Sequence, residues 1–534
     1  MVNAFEHPVL APLRQLAARP VLASLSLGIL SATGFRPLAL WPLALLAMGL
    51  FAHLIAHTAS WRRAAWLGWI FGLGHFTLGN NWIATAFTYQ SNMPAILGWA
   101  AVPLLSLYLA LFPALACGLA RSLLGTAPAD ARRTRFIAPA LAGSWIISEW
   151  MRAWVLTGYA WNPFGIILLG PFDRPGLAAI APWIGTYALS GFAVLIAGAL
   201  ATALLQGQFV RVMFAGLLLV AGMYWPAGEE RRGTLPLTIV QPDLTQARLN
   251  NPQLWEDNYQ RLARLSRPRR PGERRLVLWP ESGLVDYLRD GYPQRYYDRT
   301  TALGDPSFAR RRIGLTIGGG SKLLTGAVDL EIGDDRAIGA YNSVTALDAQ
   351  GNIAGGYAKA HLVPFGEFLP FRGLLEPLGL SRLVPGSLDF IPGPGPQTLD
   401  LGEHGKAGIQ ICYEIVFSGQ VTQRDDRPDY IFNPSNDGWF GAFGPPQHLA
   451  QARLRAIEEG LPVLRATTTG ISAVIDAQGI VRDFRPIHAL DRIDTIVPPA
   501  APPKLFARFG NIVPLLIAGL FLAGTGVAIK RARR

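Results

Sequence analysis

Four stretches of this 534-residue chain carry residue types that could do chemistry together. The first, A-G-I-Q-I-C-Y-E at Ala407–Glu414, ends a short apolar run on Cys412, one of two cysteines in the sequence. A β-branched run that stops at a polar triplet reads as a buried strand delivering Cys412 to its rim, where a thiol can serve as a nucleophile. The commoner role of a lone cysteine is that of a small buried hydrophobe. The second stretch, L-V-L-W-P-E-S at Leu276–Ser282, runs out at Glu281 after a proline and so sets an acid at the carboxyl end of a strand. A solvated loop glutamate has the same signature.

The third stretch, Y-A-K-A-H-L-V-P-F-G-E-F-L-P at Tyr357–Pro370, places Lys359, His361 and Glu367 among apolar and turn residues. Lysine is costly to hold in such company unless it is paired or used. His361 is a candidate base for Cys412 by the logic of Cys-His hydrolases, against the plainer role of a satisfied structural histidine. The fourth, Y-I-F-N-P-S-N-D-G-W-F at Tyr430–Phe440, is another strand ending in a polar and aromatic cluster that includes Trp439, and an Asn/Asp/Gly turn fits it equally. No stretch has metal-ligand spacing, and Gly318–Gly320 lacks the helix signature of a nucleotide-binding loop.

The elements around these stretches belong to one domain, 233–498. Short apolar runs at Leu235–Val240, Leu276–Trp279, Ile313–Ile317, Val344–Leu347, Ile409–Cys412, Tyr430–Phe432 and Ala473–Ile475 alternate with helix-patterned segments such as Trp255–Leu265 and Gln447–Glu459. That rhythm predicts an α/β domain around a buried sheet. Phe365–Pro396 is long, irregular and apolar, which suits a lid or a segment that rests on a bilayer.

The rest of the chain is too apolar for a soluble enzyme: half the residues are hydrophobic and 16% are charged. Apolar stretches near 20–35, 38–56, 64–83, 95–119, 136–154, 178–204 and 212–227, with a last one at 512–529, read as membrane spans, making 1–227 a multi-span α-helical domain. The first span reads as a retained anchor, since no small-residue cleavage site follows it. With the N-terminus inside, the inside segments hold Arg14, Arg19, Arg62, Arg63, Arg121, Arg132, Arg133, Arg135, Arg211 and the basic tail 530–534. The short outside segments hold only Arg36, Arg152 and Arg174, so the parity places 233–498 outside the cytoplasm. Glu149 and Arg152, near the end of the fifth span, are expected to pair at headgroup level. The net charge of +12 is dispersed and forms no compact nucleic-acid motif, so anionic lipid is the expected partner. Cys117, far from Cys412 in an apolar stretch, leaves both thiols free.

Glu281 in W-P-E-S, Lys359 eight residues before Glu367 in K-A-H-L-V-P-F-G-E-F, and Cys412 in I-C-Y-E resemble the Glu-Lys-Cys triad of the nitrilase, or carbon–nitrogen hydrolase, superfamily. Set between several N-terminal spans and one C-terminal span, and joined by S-N-D-G-W-F, the triad resembles that of the apolipoprotein N-acyltransferase branch. The resemblance implies a nitrilase-like αββα sandwich outside the bacterial cytoplasmic membrane. It implies a phospholipid acyl donor, a thioester on Cys412, and the α-amino group of an apolipoprotein's N-terminal diacylglyceryl-cysteine as acceptor. No metal or organic cofactor is required. Glu281 would be the base, Lys359 the oxyanion partner and Glu367 an essential orienting acid, while Tyr413 and Glu414 shape the pocket and Trp439 lines the lipid path. The sequence departs from the branch in one place: a tryptophan expected after the domain's first strand is replaced by Asn250, and the nearest tryptophan is Trp255. A membrane-anchored amidase with the same triad and a non-catalytic lipoprotein-binding protein are the rival readings.

Overall fold

The computed structural model describes residues 18–89, 95–125, 131–228, 231–378 and 388–533. Arg14, Arg534 and the part of the expected lid from 379 to 387 lie outside the described residues. The chain forms two compact units, one of Met1–Ala84, Gly98–Ala227 and Pro503–Arg534, the other of Thr85–Leu97 and Gly228–Pro502.

The first unit is helical. Pro20–Ala32, Trp41–Ala56, Trp61–Gly79, Leu97–Leu109, Leu111–Leu123, Ala131–Arg152, Ala181–Leu205, Phe209–Met223 and Ile512–Arg533 are helices, so every apolar stretch read from the sequence is helical. Among the described residues, three segments are long and apolar enough to cross a membrane: Leu97–Leu123, Leu177–Leu205 and Ile512–Ala532. Glu149 and Arg152 differ from expectation. Both are buried and each takes separate partners: Glu149 Oε1 accepts from the Trp145 indole (2.9 Å) and the Phe164 N–H (2.7 Å). Arg152 Nη1 donates to the carbonyls of Tyr159 and Trp161, both at 2.8 Å. The chain after the helix folds back over its end, so backbone groups are nearer to each side chain than the other side chain is.

The second unit contains two six-stranded sheets. β1 (Pro236–Pro242), β2 (Leu276–Leu278), β3 (Lys322–Gly333), β4 (Arg336–Asp348), β5 (Ile353–Ala358) and β12 (Leu490–Ile496) build the first, in the order β12-β1-β2-β3-β4-β5. β6 (Thr398–Asp400), β7 (Lys406–Ile409), β8 (Tyr430–Ser435), β9 (Val463–Thr467), β10 (Ser472–Ile475) and β11 (Val481–Arg485) build the second, in the order β11-β10-β9-β8-β7-β6. β1, β2 and β3 are parallel, as are β7, β8 and β9. β4 returns antiparallel between β3 and β5, so β2 and β5 point the same way.

The strand period of two sorts the layers. Leu276 and Leu278 enter a core with Ile409, Phe432 and Leu464 of the facing sheet. Val277 and Trp279 turn instead toward α1 (Trp255–Ser266) and α2 (Pro306–Ile317), meeting Leu262, Ile313 and Ile317. α3 (Gly444–Glu459) packs against β9 and the turn that follows β7. The domain is thus the expected nitrilase-like αββα sandwich. One of the apolar runs expected to alternate with helices is itself helical: Ile313–Ile317 ends α2, where Ala309, Ile313 and Ile317 recur at helical spacing and are buried, after an Asp305 cap and Pro306.

Candidate active site

Glu281, Lys359 and Cys412 each stand just past the carboxyl end of a strand, β2, β5 and β7 respectively, and the chain there must turn sharply. Ser282 and Cys412 have φ of +59° and +51°, a region that is strained for residues with a Cβ. On β3, Gly326 lets the Glu281 turn pass close by, since a Cβ there would lie 2.7 Å from Glu281 Cα. After Lys359 the chain reverses through V-P-F-G and brings Glu367 back, with the Glu367 N–H bonded to the Val363 carbonyl (2.8 Å) and the Val363 N–H to Glu367 Oε2 (2.7 Å).

These turns bring the expected residues together in a buried cluster. Lys359 Nζ lies 2.9 Å from Glu367 Oε1 and 3.7 Å from Glu281 Oε1, and all three side chains are buried. Asn342, on β4, donates its amide to both carboxylates, at 2.7 Å each. Glu281 Oε2 accepts the Asn436 N–H at 2.8 Å, from the turn after β8. Burial alone would discharge the ammonium, but Glu367, then Glu281 and Cys412, hold its pKa well above the usual lysine range. Lys359 is therefore a fixed cation.

Cys412 is buried beside this cluster. Burial pushes its thiol pKa well up and the Glu281 charge pushes it further, while Lys359 and the Asn436 N–H pull it back. The resting side chain is therefore a thiol, and for its sulfur to attack a carbonyl the proton would have to leave. That requirement gives a neighbouring carboxylate a task.

Glu414 is a brace. Its Oε1 accepts from the Tyr357 hydroxyl (2.8 Å) and the Ala360 and His361 N–H groups (2.8 and 3.1 Å), and its Oε2 from the Ile411 N–H (2.8 Å). It so ties the Lys359 loop to the Cys412 turn, and burial pushes its pKa up to about 7. His361 stacks its ring on Phe417 (centroids 3.7 Å apart), and Tyr413 meets Phe417 edge-on at 5.0 Å, which fits the structural role for His361. Trp439 is half-buried and meets the ring of Tyr89 at 5.9 Å, within the same unit. Trp255 opens α1 and donates its indole N–H back to the Leu249 carbonyl (3.0 Å), next to exposed Asn250. In the apolar segment after Glu367, Phe371 and Leu374 are exposed.

Sequence reasoning missed Asn342 and the Asn436 N–H. Asn342 interrupts the β4 run A-Y-N-S-V, and a polar amide amid strand formers is the signal that could have marked it.

Two family models match the chain: an apolipoprotein N-acyltransferase N-terminal domain over residues 27–199 and a carbon-nitrogen hydrolase over 238–483. The chain is 35% identical over 529 residues to the apolipoprotein N-acyltransferase of Rhodopseudomonas palustris, covering 94% of each. It is 36% identical over 527 residues to that of Bradyrhizobium diazoefficiens, covering 93% of each. With that of Vibrio parahaemolyticus it shares 30% identity over 470 residues, 86% of this chain and 87% of the relative. Among solved structures, a carbon-nitrogen hydrolase from Helicobacter pylori aligns with 49% of this chain and 88% of its own, at 14% identity and a TM-score of 0.34. The apolar helices fit a membrane protein, the second unit has the hydrolase fold, and the chain belongs to the apolipoprotein N-acyltransferase family of N-acyltransferase enzymes.

Proposed function

We propose that this enzyme moves an acyl chain from a membrane phospholipid, by way of a thioester on Cys412, to the α-amino group of the N-terminal diacylglyceryl-cysteine of an apolipoprotein. The observation that carries the reading is the buried meeting of the Cys412 thiol with a carboxylate and a cation. Glu281 takes the Cys412 proton as sulfur attacks the ester carbonyl, and the carbonyl electrons move onto oxygen. Lys359 stabilises that oxyanion. Collapse expels the glycerol oxygen, which recovers the proton from Glu281, leaving a lysophospholipid and an acyl-cysteine. The acceptor amine then attacks the thioester and gives its proton to Glu281. The second collapse forms the amide and returns the proton to the Cys412 sulfur.

Glu367 orients Lys359 through their 2.9 Å contact, Glu414 and Tyr413 shape the pocket wall, and Trp439 lines the lipid path. The arginine bias of the short loops supports a location in the bacterial inner membrane with the domain 233–498 on its outer side.

A phospholipid chase read by intact mass tests the reaction. The full chain in vesicles should gain one acyl mass, lose it when a diacylglyceryl lipopeptide amine is added, and keep it in water alone. Cys412→Ala should show no adduct and no turnover. Discharge by water at the rate seen with the amine would make the protein a hydrolase and overturn the transfer reading.

A further inference from the structure

Behind the nucleophile turn lies a second buried cluster that the reaction above does not use. Asp437, His448 and Arg465 come from the turn after β8, from α3 and from the middle of β9, and all three are buried. Arg465 Nη2 reaches both Asp437 oxygens, at 2.8 and 2.6 Å, and His448 Nδ1 at 3.0 Å, while its Nη1 donates to Ser435 Oγ (3.0 Å) and to Asn433 Oδ1. His448 Nδ1 is also 3.0 Å from Asp437 Oδ1. On the far side of the ring, His448 Nε2 lies 3.0 Å from the carbonyl oxygen of Cys412. Asn433 Nδ2 approaches the same oxygen at 3.4 Å.

The protonation follows from the partners. A carbonyl oxygen can only accept, so Nε2 must carry a hydrogen. Burial and the Arg465 charge hold the imidazole pKa below its usual value against the pull of Asp437, and its Nδ1 faces both Arg465 Nη2 and Asp437 Oδ1. Asp437 is held ionised because Arg465, then His448, outweigh its burial. The result is a chain of contacts: Asp437 holds Arg465, both meet the Nδ1 side of the His448 ring, and Nε2 donates to the Cys412 carbonyl.

We propose that His448 is a positioning residue for the nucleophile: it clamps the Cys412 carbonyl and thereby keeps Cys412 in the left-handed turn that presents its sulfur to Glu281 and Lys359. The need for a clamp is visible in the backbone. A φ of +51° at a residue with a Cβ persists only where surrounding bonds over-determine it. The turn Cys412–Val416 is short, and at the Cys412 carbonyl two side chains from other elements, His448 and Asn433, meet it. Arg465 also screens the nucleophile, because the Asp437 charge is among those that oppose thiolate formation.

The inference rests on Cys412 as nucleophile, and the test separates the two. His448→Leu removes the donor at similar volume, and His448→Gln keeps an amide N–H at the reach of Nε2. Each is made in the full chain, and the rate of acyl-adduct formation and the phospholipid KM are measured beside the melting temperature. Leu should slow adduct formation about 100-fold with KM unchanged, and Gln should recover it to within about 5-fold of the parent. A parent-like rate in His448→Leu overturns the clamp, and so do equal losses in Leu and Gln variants that melt as the parent does. Asp437→Asn covers the case in which both histidine variants fail to fold. It leaves the ring in place but loosens Arg465, so a roughly 10-fold slower adduct at unchanged KM is expected, and a parent-like rate overturns the proposal. If no adduct ever forms on Cys412 in the parent protein, the thioester reading fails first.

Discussion

Two groups of buried charges, one in each unit, are built in opposite ways. In the helical unit, Arg152 and Arg121 spend their donors on backbone carbonyls, those of Tyr159 and Trp161 for the first and of Thr58, Ala59 and Gly125 for the second. Glu149 likewise takes a backbone N–H and an indole. In the α/β unit, Glu281, Lys359 and Glu367 face each other around Asn342, next to a thiol. A charge that closes a loop or caps a helix end has finished its work once folding is complete. Charges aimed at one another have their fields focused where a reacting group can enter.

The sharpest way to break that contrast is to remove the cation. Lys359→Met leaves two buried carboxylates without their counter-charge and removes the proposed oxyanion partner. Turnover should fall by about 100- to 1,000-fold, in line with the loss of one such donor. The same variant reports on the thiol. Because burial and Glu281 raise its pKa, alkylation of Cys412 by iodoacetamide in the parent should still be climbing at alkaline pH, where an ordinary thiol has levelled off. In Lys359→Met, which lacks the opposing cation, the curve should lie further toward high pH. A curve at lower pH would mean that the lysine does not act on the sulfur.

How much of this was legible in the sequence follows the same division. The strand-end residues were readable because an apolar run that stops at one polar group is a local pattern, as in L-V-L-W-P-E and I-Q-I-C-Y-E. The helices were readable for the same reason, although Leu97–Leu109 and Leu111–Leu123 are separate helices where one stretch was expected. The partners of Glu149 and Arg152 were not readable, since they are backbone groups brought near by the chain after the helix. His448 and Arg465 were missed because each lies inside a regular element. The signal was present in P-V-L-R-A-T, where an arginine interrupts an apolar strand and has to be paired.

Glu414 sharpens the comparison from within the α/β unit, since it is a buried carboxylate that serves as a brace. Glu414→Gln would turn an NH2 toward N–H donors and loosen the tie between the Lys359 loop and the nucleophile turn. Turnover should fall about 10- to 100-fold, less than for Lys359→Met. Its pH dependence has a definite sign. The folded pKa of about 7 lies above that of an unfolded glutamate, so the group's contribution to stability is complete below the unfolded value and is lost as pH rises through about 7. The contribution is on the order of 3 kcal/mol. The melting-temperature gap between parent and Glu414→Gln should therefore narrow from pH 5 to pH 8. A gap that widens would show that the fold prefers the ionised carboxylate.

The smallest effect on chemistry belongs to the helical unit. Arg152→Met removes a buried guanidinium and leaves the carbonyls of Tyr159 and Trp161 without their donor, so the folded state should lose about 2 to 4 kcal/mol. The melting temperature should drop clearly. Turnover per folded molecule, measured well below that melting point, should stay within about 3-fold of the parent, because the lost bonds hold a loop and touch no reacting atom. A folded Arg152→Met protein that forms no acyl adduct would contradict this, and would mean that buried charge in the helical unit takes part in the reaction and is more than a helix-end tie.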